Sequence, residues 1–172
     1  KLVANLPYVV ATPVISLLLL DDRPWERFVV TIQKELADRL MAVPSTKDYG
    51  SLSVLTQALA EVELLRELPP SAFWPRPNVV SAFVKITPRP NKRAAIRNLL
   101  TFSRFARGVM LHRRKVIRVA LSALLPEVPK SDIAGFLAAE RLDPTVRAES
   151  LPVSEFVRLA NALPAGWCEK RD

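Results

Sequence analysis

The residues Asn5-Leu6-Pro7-Tyr8 combine a side-chain amide, a proline and an aromatic ring directly after a short apolar segment. The Asn5 amide oxygen can accept a hydrogen bond, and Pro7 can hold the Leu6 carbonyl, or its own, in a fixed direction. Two acceptors aimed at the N–H bonds of an adenine amino group would favour a pyramidal nitrogen with a localised lone pair. Tyr8 can stack on the base, which is worth about 1–3 kcal/mol. The tetrapeptide could therefore prepare a base for methylation by orientation and electrostatics alone.

A structural interpretation of the same residues stays open, in which Pro7 turns the strand end and Tyr8 packs in the core. Other chemistries have less support, because His112 is the only histidine and Cys168 the only cysteine. A His/Cys zinc site is not expected, no internal disulfide can form, and a Ser-His-Asp triad would have to use His112. A single cysteine also fits a reducing cytoplasm.

The formal net charge of +8 is confined to the second half of the chain. Residues 1–87 contain nine basic and nine acidic side chains, whereas residues 88–172 contain sixteen and eight. No Asp or Glu occurs between Glu67 and Glu127, a stretch with twelve Lys and Arg residues. This pattern favours nucleic-acid binding over a solvated basic face or an anionic lipid surface. The cations expected to contact phosphate are Arg104, Arg107, Arg113, Arg114, Lys115 and Arg118.

The elements that would position these residues follow from hydrophobic periodicity and turn residues. In the first part we predict strands over 2–4, 28–32, 62–68 and 79–86, and helices over 12–20, 33–41 and 51–61. This order is that of the C-terminal half of an open α/β sheet. Ligands of such sheets bind beyond the carboxyl ends of the strands, which is where Asn5 lies.

The composition changes at Pro88-Arg89-Pro90. We therefore predict two units, residues 1–88 with the sheet and residues 89–172 as a small all-α domain. Helices are expected over about 92–107, 111–125, 131–139 and 154–162, with Gly108 and Pro126 marking the ends of the first two. The segment His112-Arg113-Arg114-Lys115 would open the second helix, with Arg118 one turn beyond Arg114. No apolar run is long enough to span a membrane.

Four segments resemble successive blocks of the KsgA-type rRNA adenine N6,N6-dimethyltransferases: NLPYVVATPVI, VVTIQKELADRLMAVPSTKDYGSLSVLTQ, ELPPSAFWPRPNVVSAFVKI and LHRRKVIRVAL. The resemblance implies a Rossmann-like methyltransferase sheet and methyl transfer from S-adenosylmethionine to adenines of small-subunit rRNA during ribosome maturation. It implies a base site at Asn5, Leu6, Pro7 and Tyr8, with Phe73 on the other side of the base. Asn5 and Pro7 would also contact the methyl donor, and the basic helices would bind RNA.

Alternatives remain within and beyond this chemistry. One is a large-subunit rRNA adenine methyltransferase of the macrolide-resistance type, and the other is a non-catalytic rRNA-binding assembly module. The glycine-rich cofactor loop of the family is absent, since the four glycines form no G-x-G cluster. We therefore expect a C-terminal piece of a longer enzyme, inactive alone, cytoplasmic, without metal, and with an exposed apolar sheet edge that promotes association.

Overall fold

A four-stranded sheet forms the first half of the protein, whose computed structural model describes residues 1–168. The strands lie in the order β1-β2-β4-β3; β1 and β2 are parallel, and β4 is antiparallel to both of its neighbours. Their bounds are β1 Leu2–Asn5, β2 Phe28–Gln33, β3 Ala60–Leu68 and β4 Ser81–Pro88. The predicted open α/β sheet is therefore present, with its last two strands as an antiparallel pair.

Buried β-branched and aromatic residues explain why the central strands form. In β2 the side chains of Phe28, Val30 and Ile32 are fully buried and alternate with half-buried neighbours, as expected for a strand with one face on the core. Ala82, Val84 and Ile86 repeat this alternation along β4, the strand paired with β2. The two central strands thus carry the core of the sheet.

Eight α-helices, counted over the described residues, surround the sheet and build the second half. Their bounds are α1 Tyr8–Leu20, α2 Lys34–Met41, α3 Ser51–Leu59, α4 Pro90–Ala94, α5 Leu99–Leu111, α6 Ile117–Leu124, α7 Lys130–Ala139 and α8 Val153–Ala162. Short 3-10 helices cover Pro70–Ala72 and Ala148–Ser150. Within residues 1–168 no helix is long and apolar enough to cross a membrane.

The first helix begins four residues earlier than predicted. Its N-cap is Pro7, at φ −57° and ψ 131°, and Pro13 lies inside the helix instead of opening it. A proline there removes the hydrogen bond to the carbonyl four residues back, that of Val9. The Val9 side chain is 91% exposed, so water can reach this turn. The earlier start places Tyr8 in the first helical turn.

The third helix also ends early, and its last two predicted residues belong to β3.

The helix predicted over 92–107 is two helices. The short α4 ends at Ala94, and α5 begins after Asn98, whose side-chain oxygen accepts a hydrogen bond from the Thr101 N–H at 2.9 Å. This cap satisfies a backbone N–H donor at the start of a new helix, and it therefore favours two helices over one continuous helix. Gly108 does not end a helix either: it is buried within α5, where a Cβ would meet Leu124 of α6.

The basic segment 112–116 is a turn, so the prediction that it opens a helix was wrong. Helix α6 starts only at Ile117, after an isolated bridge between Val116 and Arg147. The bridge requires extended backbone at Val116, which has φ −63° and ψ 148°. Arg113, Arg114 and Lys115 therefore precede the helix, and Arg118 alone of the four cations belongs to it.

Long-range hydrogen bonds join the two halves. The Tyr49 hydroxyl, from the loop before α3, donates to the Leu151 carbonyl at 2.9 Å, and Ser45 N–H donates to the Glu149 carbonyl at 2.8 Å. Lys92 Nζ reaches back to the carbonyls of Gln57 and Ala60 at 3.0 and 3.2 Å. The division into residues 1–88 and 89–172 stays a prediction, and its last four residues lie outside the described part.

Candidate active site

The tetrapeptide Asn5-Leu6-Pro7-Tyr8 lies at the carboxyl end of β1, where the strand passes into α1. Asn5 is the last paired residue, opposite Thr31 of β2, and the Leu6 N–H donates to the Thr31 carbonyl at 3.1 Å. Leu6 is buried and fixes the turn to the core, whereas Asn5 is exposed. The strand end therefore holds the amide at the surface on a rigid support.

Pro7 and Tyr8 complete the turn. The Pro7 carbonyl accepts a hydrogen bond from the Val10 N–H at 3.1 Å, which leaves it engaged in the first turn of α1. The half-buried Tyr8 ring extends from the first residue of that helix. Its hydroxyl lies 2.6 Å from Ser81 Oγ, the first residue of β4, and Ser81 is fully buried. Tyr8 is thus held at both ends, by its backbone and by its hydroxyl.

One cavity of about 320 Å³ joins this turn to the proline-rich loop between β3 and β4. The tetrapeptide lines this cavity together with Phe73, Trp74, Pro75 and Pro77 of the loop. The structure therefore brings Tyr8 and Phe73 to one cavity, and these are the two rings that the family resemblance places on opposite sides of a base. No acidic side chain from the described residues lines this cavity, so its polar character comes from the Asn5 amide and the main chain.

Hydrogen bonds hold the loop in place over the site. Ala72 N–H donates to the Pro69 carbonyl at 2.9 Å, and Phe73 N–H donates to the Pro70 carbonyl at 3.3 Å. At the other end, Lys34 N–H donates to the Val80 carbonyl at 3.0 Å, which attaches the loop to the start of α2. The hydrogen bond to Asp38 and the charge of Glu67 raise the pKa of Lys34 and keep it cationic beside the loop.

The cations predicted to bind phosphate differ in their surroundings. Arg107, Arg114, Lys115 and Arg118 are exposed, on α5, the 112–116 turn and α6. Arg113 is half-buried: its Nη1 donates to the carbonyls of Lys47 and Tyr49 at 2.7 and 2.6 Å, and its Nε lies 3.9 Å from Glu149.

Arg104 is half-buried as well, and its Nη1 lies 3.4 Å from the Cys168 carbonyl. The exposed members of the set are thus spread over two helices and a turn. Phosphate binding by any of the six stays a prediction.

The sequence alone did not reveal the contact that Ser81 makes in this site, and it left open whether Trp74 stacks on RNA or covers the proline-rich loop. Ser81 appears in the sequence as one member of a block, and its contact with Tyr8 spans 73 residues, which no local pattern encodes. Trp74 is 96% exposed on the rim of the cavity. A serine opening a buried strand and a tryptophan between prolines were the available signals. Among residues 1–168, no three His, Cys, Asp or Glu side chains come together as a metal site.

The mixed sheet flanked by helices has the Rossmann-like methyltransferase fold, with its candidate cavity at a strand's carboxyl end. Two solved structures share it. A dimethyladenosine transferase from Plasmodium falciparum has a TM-score of 0.82 at 22% identity, covering 91% of this chain and 64% of its own. The 23S rRNA methyltransferase ErmE has a TM-score of 0.60 at 22% identity, covering 94% and 64%. At this identity the likeness shows the fold alone.

The family described as "Ribosomal RNA adenine dimethylase" matches residues 1–164. Two relatives are named "Ribosomal RNA small subunit methyltransferase A". The one from Rhodospirillum rubrum is 47% identical over 165 residues, covering 96% of this chain and 55% of the relative. The one from Geobacillus thermodenitrificans is 42% identical over 166 residues, covering 94% and 56%. This chain belongs to the ribosomal RNA adenine dimethylase family and spans about half the length of these curated relatives. The predicted family and fold class are thereby confirmed.

Proposed function

We propose that the protein takes part in methyl transfer from S-adenosylmethionine to the N6 amino group of adenines in small-subunit rRNA. The observation that carries this proposal is the cavity in which Asn5, Tyr8 and Phe73 meet. Its volume of about 320 Å³ can hold a purine base, and its two rings come from separate elements of the chain. The family and the names of its relatives agree with this assignment.

The main chain and the Asn5 amide would prepare the amino group. Asn5 Oδ1 accepts from one N–H bond of the base. The Pro7 carbonyl already accepts from Val10, so the Leu6 carbonyl is the better second acceptor. Because both acceptors belong to a rigid turn, they need no reorganisation during the reaction, and this is how fixed dipoles lower a barrier. The two rings hold the extruded base in one plane and keep the amino group in the position set by Asn5.

Asn5 and Pro7 would also touch the methyl donor. They lie at the carboxyl end of a parallel strand, which is where open α/β sheets bind their cofactors, and the exposed Asn5 amide suits a polar group. S-adenosylmethionine, when bound, supplies an electrophilic methyl group. The sequence of this chain contains no G-x-G cluster, so its residues would form only one part of that pocket.

The basic second half would bind the RNA backbone. We propose a boundary near Pro88, where β4 ends, with residues 89–172 as the RNA-binding unit. The exposed Arg107, Arg114, Lys115 and Arg118 supply positive charge without an acidic residue between positions 68 and 126. The partner would be a precursor of the small ribosomal subunit in the cytoplasm.

The proposal is tested in a protein of the relatives' length that contains this chain. With labelled S-adenosylmethionine and unmodified small-subunit rRNA, we expect label on adenine N6. Asn5→Ala removes one positioned acceptor and should lower kcat by roughly 100-fold, with little change in RNA affinity. Asn91→Ala is the matched control, because Asn91 is an exposed amide on α4. Near-normal turnover of Asn5→Ala would contradict the role assigned to Asn5, and absence of label with the wild type would contradict the function.

A further inference from the structure

We propose that Trp74 is a second stacking surface, which binds the RNA nucleotide next to the base held between Tyr8 and Phe73. This inference rests on the proposed function and assigns a contact to a residue outside the base site. Its occupant is an unpaired nucleotide of the same strand, which must lie close to a base that has been turned into the cavity.

The exposure of Trp74 is the first observation. Its side chain is 96% exposed, whereas Trp25 and Trp167 are half-buried and packed against the core. Trp74 nevertheless lines the same cavity as Asn5 and Tyr8. Burying a large aromatic ring is stabilising. No other residue in the described part of the chain buries the Trp74 ring. It is therefore available to a nucleotide at the rim of the cavity.

The backbone at Phe73 shows that Trp74 does not serve the same base. Phe73 is extended, with φ −126° and ψ 151°, so the side chains of residues 73 and 74 leave the chain on opposite sides. If Phe73 faces the base opposite Tyr8, the ring of Trp74 faces away from that base. Two neighbouring rings in this arrangement present two separate surfaces at one rim, and successive bases of a single strand can use both.

The loop also holds Trp74 in place before RNA arrives. Prolines occupy positions 69, 70, 75 and 77, so the backbone on both sides of the ring has little freedom. The 3-10 turn over Pro70–Ala72 adds hydrogen bonds directly before Phe73. A ring that is already ordered loses little conformational entropy on binding, which favours stacking.

The charge around the ring identifies the partner as nucleic acid. Arg76 is exposed two residues after Trp74, and the sequence has no acidic residue from position 68 to 126. A guanidinium beside an exposed indole can bind the phosphate of the nucleotide that stacks on it. A protein partner would favour a broad apolar patch, whereas the other large apolar residues exposed in this loop are Val79 and Val80, each only 40% exposed.

The test measures binding of single-stranded RNA to the protein of full length. The probes are a labelled nine-nucleotide RNA with one central adenine and two versions with an abasic site on its 5′ or 3′ side. Trp74→Ala should weaken binding of the intact RNA by about 5- to 150-fold, the range for removing one stacked base. Trp74→Phe should restore most of it. Val79→Ala, an exposed apolar change in the same loop, is the control and should have no effect.

The abasic probes decide between stacking and a general effect on the loop. One abasic probe should bind the wild type and Trp74→Ala with equal affinity. That affinity should match the weakened affinity of Trp74→Ala for the intact RNA. If Trp74→Ala binds every probe like wild type while Tyr8→Ala loses affinity, the inference is wrong and the proposed function stands. If neither Trp74→Ala nor Tyr8→Ala changes RNA affinity and the wild type transfers no methyl group, both the inference and the proposed function are wrong. Unchanged RNA binding with loss of self-association in Trp74→Ala would assign the ring to a second copy instead.

Discussion

At the residue scale, the hydrogen bond between Tyr8 and Ser81 holds the Tyr8 ring in the candidate cavity. The hydroxyl and Ser81 Oγ are 2.6 Å apart, and Ser81 has no exposed surface, so the Tyr8 hydroxyl satisfies a side chain that water cannot reach. Tyr8 is half-buried, and water can reach one side of it. The two residues therefore respond differently when the hydrogen bond is removed, because a buried polar group without a partner costs more than an accessible one.

We expect Tyr8→Phe to lower the free energy of unfolding by about 1–3 kcal/mol, since it leaves Ser81 buried and without its partner. Ser81→Ala should cost less, about 0.5–1.5 kcal/mol, because the Tyr8 hydroxyl can bind water. The double variant should cost less than the sum, and urea unfolding of all four proteins measures the difference. Ser122→Ala, a change in an exposed hydrogen bond within α6, is the control. Additive costs would show that the two side chains act independently.

Sequence reasoning found most of the residues that line the site but not what connects them. Asn5 and Tyr8 were identified because their residue types carry chemistry in a recognisable order, whereas Phe73 was identified only through the family resemblance. The hydroxyl contact of Tyr8 and the direction of the Trp74 ring depend on how the start of β4 and the loop before it lie near the carboxyl end of β1. Such contacts over tens of residues follow from tertiary packing, which periodicity does not encode.

At the scale of elements, the turn 112–116 separates two kinds of arginine. Arg113 donates to two carbonyls of the loop before α3 and attaches the helical half to the sheet half. Arg114 and Lys115 follow directly and are exposed. A helix over the whole segment would have placed Arg114 and Arg118 on one face, but the bridge at Val116 prevents it. Neighbouring cations of one motif thus have different surroundings.

Arg113→Ala should therefore destabilise the protein by about 1.5–3 kcal/mol, the range for hydrogen bonds made by a charged group. Arg114→Ala should change the free energy of unfolding by less than about 0.5 kcal/mol, as surface substitutions do.

In an RNA salt titration, the double variant Arg114→Ala/Arg118→Ala should lower the slope of log affinity against log salt by about 0.7–0.9 for each phosphate that is no longer neutralised. Arg27→Ala, an exposed cation at the start of β2, is the control. An unchanged slope in the double variant would show that neither arginine contacts a phosphate.

The elements themselves were predicted best where their residues are buried. The strand over 28–32 is present with one further residue, because its alternate side chains are fully buried, whereas the more exposed strand over 62–68 begins two residues earlier. The largest errors lie at helix starts. Thr12-Pro13 resembles a helix start, but Pro7 supplies an earlier one, and the Asn98 cap divides a segment whose sequence looks continuous. Caps compete locally, and a sequence does not show which of two candidates wins.

At the scale of the whole molecule, Tyr49 joins the two halves. It is fully buried, and its hydroxyl donates to the Leu151 carbonyl, 102 positions along the chain. Burial raises the pKa of Tyr49 to about 12, because the ionised phenolate would lose its hydration. The folded protein therefore keeps this proton at a pH where the unfolded chain has released it.

The stabilisation from Tyr49 should thus be complete below about pH 10, the unfolded pKa of tyrosine, and should be lost as the pH rises toward 12. Between these values its part of the unfolding free energy falls by up to about 1.4 kcal/mol per pH unit. Tyr49→Phe lacks the titrating group, so the difference between wild type and variant should shrink over this range. Denaturant unfolding from pH 8 to 12 measures it, and a constant difference would contradict the assignment.

The order β1-β2-β4-β3 has a consequence for how the protein reaches its native state. Strand β4 is the only link between β2 and β3 in the described sheet, yet it is the last of the four to be synthesised. Its pairing with β2 closes a loop of about fifty residues, and contacts between distant segments form slowly because loop entropy must be given up first. Ser81 is the first residue of that strand, and Val80 directly precedes it. The pocket around Tyr8 should thus be among the last parts of the molecule to mature, after the flanking helices have formed.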